Sequence, residues 1–197
     1  MANYTISLGK PKSLQQILYV AQIMLKEFNL LVSTSRGYER HASSELRFLF
    51  EKMGETSPAV DRTGISGLIA AKTNMDAVEA VRQFRTILLK SPYEFRFILR
   101  IIPIEKVVPT DLDLIQQAVA ELTPKIGENE TFRVTVEKRF TTTHAKDIIE
   151  KVAANIKRKV NLTQPDKIIL IEIVGGLTGV SVAKPDDVLS VLKEKLL

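Results

Sequence analysis

The chain has 197 residues, 45% hydrophobic and 26% charged, the composition of an ordinary folded protein of one or two domains. It contains no cysteine, which excludes disulfides, thiolate zinc sites, cysteine-held iron–sulfur clusters and a cysteine nucleophile, and suits a cytoplasmic protein. The formal net charge is +5, and no apolar run approaches the ~20 residues of a membrane span.

Residues 1–12 read as a polar start. Residues 13–28 carry Leu14, Ile17, Leu18, Ala21, Leu25 and Phe28 at helical spacing, with Val20, Ile23 and Met24 off that stripe. A helix apolar on both faces suits packing on the body of the protein or on a second copy, so a homodimer through this helix is one expectation. No small-residue cleavage site follows it, which argues against a signal peptide. Residues 30–33 form a short buried strand. A helix follows to about Met53, capped by Ser35 and stopped at Gly54. Residues 60–71 give one or two strands broken by Gly64 and Gly67. Thr73 or Asn74 caps a helix from about Met75 to Leu89, which Pro92 ends. Residues 95–104 form the next strand. This β-α-β-(β)-α-β order suits a ferredoxin-like sheet with helices on one face.

The second half starts near Val107. Asp111 caps a helix to about Leu122, and Pro124 and Gly127 punctuate its end. Residues 132–138 alternate Phe132, Val134 and Val136 against Arg133, Thr135 and Glu137, a half-exposed strand. Thr143 caps a helix over 144–160 with a core stripe of Ala145, Ile148, Ile149, Val152, Ile156 and Val160. A Pro165-Asp166 turn leads to a strand over 168–174, a Gly175-Gly176 turn, a strand over 179–183, and a last helix over 188–196. No Gly/Ser linker separates the halves near 105–109, so they are expected to form one block. The fold class is α+β with α/β layering, divided into a helical extension (1–29), a first domain (30–105) and a second (106–197).

Charge is concentrated in one segment. Between Arg133 and Lys159 eight basic residues stand against three acids, a surplus equal to that of the whole chain. Such a patch attracts phosphates and releases their counterions. Within it, Arg133, Lys138, Arg139, Thr141, Thr142, Thr143, His144 and Lys146 lead from a strand into the mouth of a helix. Unpaired backbone N–H groups favour anions there. A capped helix with a solvated basic loop explains the same residues, and the charge surplus tips the reading toward binding. Lys157, Arg158 and Lys159 close the helix, where the dipole favours cations in any case. Arg36 is a candidate extension of the basic surface into the first half. Gly175-Gly176-Leu177-Thr178-Gly179 lacks the Lys-Ser/Thr of a phosphate loop and reads as a hairpin turn, one that also lets an RNA backbone approach. His41 and His144 are too isolated for a metal site. The pairs Asp111/Asp113 and Asp186/Asp187 sit at helix starts, where negative charge is favoured. No catalytic residue, metal ligand or cofactor motif is identified.

Three stretches carry a family resemblance: FRVTVEKR at 132–139, THAKDIIEKVAANI at 143–156 and VNLTQPDKIILIEIVGGLTGVSV at 160–182. They resemble the THUMP domain, an RNA-binding module of tRNA-modifying enzymes. Asn161 stands where the family's aspartate is usual. The resemblance implies a ferredoxin-like domain ahead of a THUMP domain, and a grip on the acceptor stem and 3′ CCA end of tRNA. Most members continue into a methyltransferase, thiouridine synthetase or deaminase domain. This sequence stops at Leu197 and looks like the stand-alone subgroup, related to the adaptor that presents tRNA to an RNA cytidine acetyltransferase. The expectation is therefore a non-catalytic, tRNA-binding adaptor without cofactor. A protein-interaction module, or an RNA-modifying enzyme with an unrecognised site, are the alternatives.

Overall fold

The computed structural model describes residues 28–139, 141 and 144–196. The first half runs β1 (Leu30–Thr34), α1 (Glu39–Lys52), β2 (Ala59–Arg62), β3 (Leu68–Lys72), α2 (Ala77–Lys90), a 3-10 turn at Pro92–Glu94 and β4 (Ile98–Pro103). The second runs β5 (Lys106–Pro109), α3 (Leu112–Leu122), β6 (Thr131–Arg139), α4 (Ala145–Ala153), β7 (Lys159–Val160), β8 (Lys167–Val174) and β9 (Leu177–Ala183). β10 (Leu189–Ser190) and α5 (Val191–Glu194) follow. The helix expected over 13–28 lies outside the described residues, apart from Phe28. Among the described residues no helix is long and apolar enough to cross a membrane.

The strands form two mixed-layer units. The first sheet has the order β10-β4-β1-β3-β2 and is antiparallel throughout. The second has the order β5-β9-β8-β6-β7, with β6 parallel to β7 and β8, and β9 antiparallel to β5 and β8. The two-residue period of a strand sorts side chains onto opposite faces. Leu30 and Val32 join a core with Leu46, Phe50, Phe84 and Leu88 from α1 and α2. Ile169, Ile171 and Ile173 join a second core with Ile115, Val119, Ile148 and Val152 from α3 and α4. The remaining faces meet each other: Leu31, Leu68, Ala70 and Ile102 pack against Ile168, Leu170, Val174 and Ala183. The layers therefore run helices, sheet, sheet, helices. β8 is buried on both faces, which explains its continuous apolar run.

The junction between the halves is tight. β5 pairs with β9, the Glu105 N–H donates to the Val180 carbonyl, and the Glu105 carboxylate accepts from the Val182 N–H at 2.8 Å. Gly179 lies against Ile104, just past the end of β4. A Cβ there would stand 2.9 Å from Ile104 Cδ1, inside contact distance.

Several boundaries differ from the sequence reading. Asp76, rather than Thr73 or Asn74, caps α2 by accepting from the Val78 and Glu79 N–H groups. Thr73 and Asn74 are held elsewhere, by Asn29 and the Glu55 carboxylate. Tyr38, not Ser35, stands at the N-cap of α1, because a turn from Ser35 to Tyr38 precedes the helix. The helix expected over 144–160 stops at Ala153. The chain leaves it because β6 offers an open edge, which Lys159 and Val160 fill as parallel β7. The cap expected at Thr143 lies outside the described residues.

The largest difference is at the end of the chain. A helix was expected over 188–196 in the second domain. Only Val191–Glu194 is helical; β10 precedes it and pairs with β4, and Leu189 and Val191 enter the core of the first sheet. Arg85 of α2 pairs with Glu194 at 2.8 Å, and Arg82 with Asp187 at 3.1 Å. The last residues thus strap back across the first half.

Candidate nucleic-acid interface

β6, α4, and the β8–β9 turn converge at one end of the second sheet. Gly175, at φ +63°, makes the turn and donates its N–H to the Arg139 carbonyl at 3.0 Å. Thr110, just past β5, donates its hydroxyl to the Gly175 carbonyl and its N–H to the Gly176 carbonyl. A Cβ on Gly175 or Gly176 would meet nothing within 4 Å, so the turn is open to an approaching ligand. Beside it lies a cleft of about 360 Å³ between α3 and α4, lined by Thr110, Asp111, Ile115, Ile148 and Ile173 among others. Asp111 caps α3 with its own carboxylate. α4 has His144 at its N-cap and no capping bond from that side chain. Among the described residues, then, α4 lacks the N-cap carboxylate that closes α3.

The predicted site residues divide into two groups. Lys138 and His144 are exposed at this end, and Thr141 is half-buried. Lys146 is 81% exposed and pairs with Glu150 at 3.6 Å, a surface pair weak enough to yield to a phosphate. Thr142 and Thr143 lie outside the described residues. The arginines are occupied differently. Arg139 donates to Glu172 at 2.9 Å, and Glu172 is 1% exposed within the seam between the sheets. Burial pushes the Glu172 carboxyl above its ordinary value, and the Arg139 bond and charge, with Arg100 nearby, oppose that rise. Arg133 donates Nη1 to the Leu162 carbonyl at 2.9 Å. Arg158 donates Nε to the Gly127 and Ile126 carbonyls at 3.0 and 3.3 Å. These guanidiniums tie loops and strands together.

The single patch read from sequence is also split. Lys157, Arg158 and Lys159 do not close a helix. They lie beside the start of β6, where Lys159 registers with Thr131. His144 and Lys146 lie past its other end. Eight strand steps separate these ends, roughly 26 Å at ~3.3 Å per residue. Arg36 is exposed on the turn after β1, on the first sheet rather than the second. Sequence reasoning passed over Glu172 and Thr110. An acid within the apolar run of β8 was the available signal for Glu172. Thr110 had none, since its partners are 65 and more residues away.

Asn161, at the family's aspartate position, organises the loop before β8. Its Oδ1 accepts from the Thr163 and Gln164 N–H groups, and its amide donates to the Gln164 carbonyl at 2.8 Å. A carboxylate could not make that last bond. Asp166 then accepts from the Thr131 N–H and hydroxyl at 2.8 and 2.7 Å, which holds its carboxyl below the usual range and joins β8 to β6.

The family model of the THUMP domain matches residues 109–183, from the end of β5 to the end of β9. This stretch is a THUMP domain. THUMP domains are associated with tRNA binding and modification. The match stops before the strap, in keeping with the strap's place on the first sheet.

In fold, the chain is similar to PH1313 from Pyrococcus horikoshii Ot3, with a TM-score of 0.61 and 20% identity, over 80% of this chain and 55% of that one. It is also similar to TrmN from Thermus thermophilus, with a TM-score of 0.54 and 15% identity, over 78% of this chain and 44% of that one. The likeness extends beyond the THUMP domain into the first sheet. The chain spans about half the length of these solved structures. No curated protein matches it in sequence. Among the described residues, no three His, Asp or Glu side chains gather as a metal site.

Proposed function

We propose that this chain is a non-catalytic tRNA-binding protein that grips the acceptor stem and 3′ CCA end. It presents the tRNA to a modification enzyme such as a cytidine acetyltransferase. The observation that carries the RNA-binding part is the THUMP domain itself, with exposed lysines at both ends of β6 and an α4 N-terminus open to phosphate. The first sheet serves as a ferredoxin-like second wall. Its β-α-β-β-α-β order and the sheet order β4-β1-β3-β2 support that reading. Because the seam between the sheets is packed with apolar side chains around the buried Glu172–Arg139 pair, the two walls keep a fixed spacing, so distance from the gripped end would select the nucleotide a partner reaches. The adaptor role rests on the sequence resemblance to the stand-alone subgroup.

The test is binding of the purified chain to total tRNA with and without the 3′ CCA. Loss of the CCA is expected to weaken binding at least several-fold. Equal binding to both would sink the end-grip. A modified nucleoside formed by the pure chain with common cofactors would sink the non-catalytic role.

A further inference from the structure

A second surface lies on the first half. Tyr38, at the start of α1, stacks on Phe97 with ring centroids 5.5 Å apart and planes at 21°. His41 joins them, 4.9 Å from Phe97 and 5.6 Å from Tyr38. Phe48 continues the same stripe two turns along α1. Tyr38 and Phe48 are 47% and 46% exposed, an apolar presence that folding alone does not require. Between α1 and Phe97 lies a cleft of about 400 Å³ lined by Arg40, His41, Ser44, Glu45, Phe48 and Phe97, with the Tyr38 ring stacked on Phe97 beside it.

The charges around this cleft are sorted. Glu45 accepts from the backbone N–H groups of Arg96, Phe97 and Ile98 at 2.9, 2.9 and 3.0 Å. Glu39 accepts from Gly37 and Gly67, and those bonds hold its carboxyl below the ordinary range, Gly67 contributing most. Both acids are thus turned into the backbone, whereas Arg36, Arg40 and Arg96 are exposed. Flat rings with a cationic rim match the demands of an unpaired nucleotide, whose base stacks while its phosphate meets arginine. An acidic or purely apolar peptide would use only one of these features.

We propose that the cleft between α1 and Phe97 docks an unpaired nucleobase of single-stranded RNA. Tyr38, His41 and Phe97 form the stacking platform, and Arg36 and Arg40 meet the flanking phosphates. The site rests on the RNA-binding reading above and adds to it a contact outside the THUMP domain. It would hold bases splayed from a duplex end, the form in which proteins read RNA most readily.

The test uses the full chain and two probes: a hairpin RNA with a short 3′ single-stranded tail ending in 2-aminopurine, and the same hairpin cut blunt. The tail's fluorescence should be quenched on binding. Tyr38→Ala should weaken binding of the tailed hairpin about ten-fold and relieve the quenching, while leaving the blunt hairpin unchanged. Tyr38→Trp should retain both affinity and quenching. Arg40→Gln, on an exposed helical position, should lower the salt slope for the tailed probe by about 0.7. Thermal unfolding of each variant establishes that it is folded. Tyr38→Ala and Phe48→Ala proteins that bind and quench the tail like the original would overturn the site. So would variants that change only self-association in sedimentation, which would make the cleft a surface for a second copy. If blunt binding persists without tail dependence, the cleft alone falls. If neither probe binds, the RNA-binding reading falls with it.

Discussion

Glu172 shows how one residue can be read two ways. In an apolar strand an acid looks like a functional group, and its partner Arg139 looks like a phosphate contact. Instead the two close on each other within the seam, with Arg100 and Glu137 also acting on the carboxyl. Because burial raises the folded carboxyl above its ordinary value, the folded chain holds this proton more tightly than the unfolded chain does. The associated stability is present at pH below that ordinary value and is lost as pH rises through the raised one. Chemical denaturation across the acid-to-neutral range should show this decline in the original chain. In Glu172→Gln, whose amide can still accept from Arg139, the decline should vanish. An unchanged pH profile would mean that the carboxyl is not desolvated. Gly179 is a second case: its lack of a side chain is required by Ile104, just past the end of β4, not by the hairpin turn three residues before it.

At the scale of elements, periodicity was reliable where a segment packs against one neighbour. α2, α3 and β6 lie close to their expected places because their apolar stripes face a single core, and β8 because both its faces are buried. It misled where a segment had a choice of partners. Residues 154–160 keep an apolar stripe, with Ile156 packed on the second core, yet β7 pairs on β6 because an open strand edge is an alternative to further helical turns. The terminal strap is the same lesson at longer range. Leu189 is fully buried in the first core, so Leu189→Ala should cost about 2–5 kcal/mol in equilibrium unfolding. A cost near zero would show that the strap adds nothing to the first half.

For the whole molecule, the sorting of cations into ties and contacts decides how binding responds to salt. Lys146 stands clear at the α4 entrance, whereas Arg158 holds the loop before β6 by two carbonyls. Lys146→Ala should lower the salt slope of tRNA binding by about 0.7–0.9, the loss of one neutralised phosphate, with no change in melting temperature. Arg158→Ala should instead lower stability by about 1–3 kcal/mol through its unmet carbonyls. The reverse pattern would exchange their roles.

The sequence by itself determined which strands are buried, where the glycine turn falls, and that residues 109–183 are a THUMP domain. These properties are written in local period, local turn chemistry and a contiguous motif. Only the tertiary structure decided which basic residues face solvent, which edge takes the strap, and that Tyr38 and Phe97, far apart along the chain, stack on each other. Each of those depends on contacts between segments distant in sequence, where a side chain's partner is set by packing rather than by its neighbours in the chain.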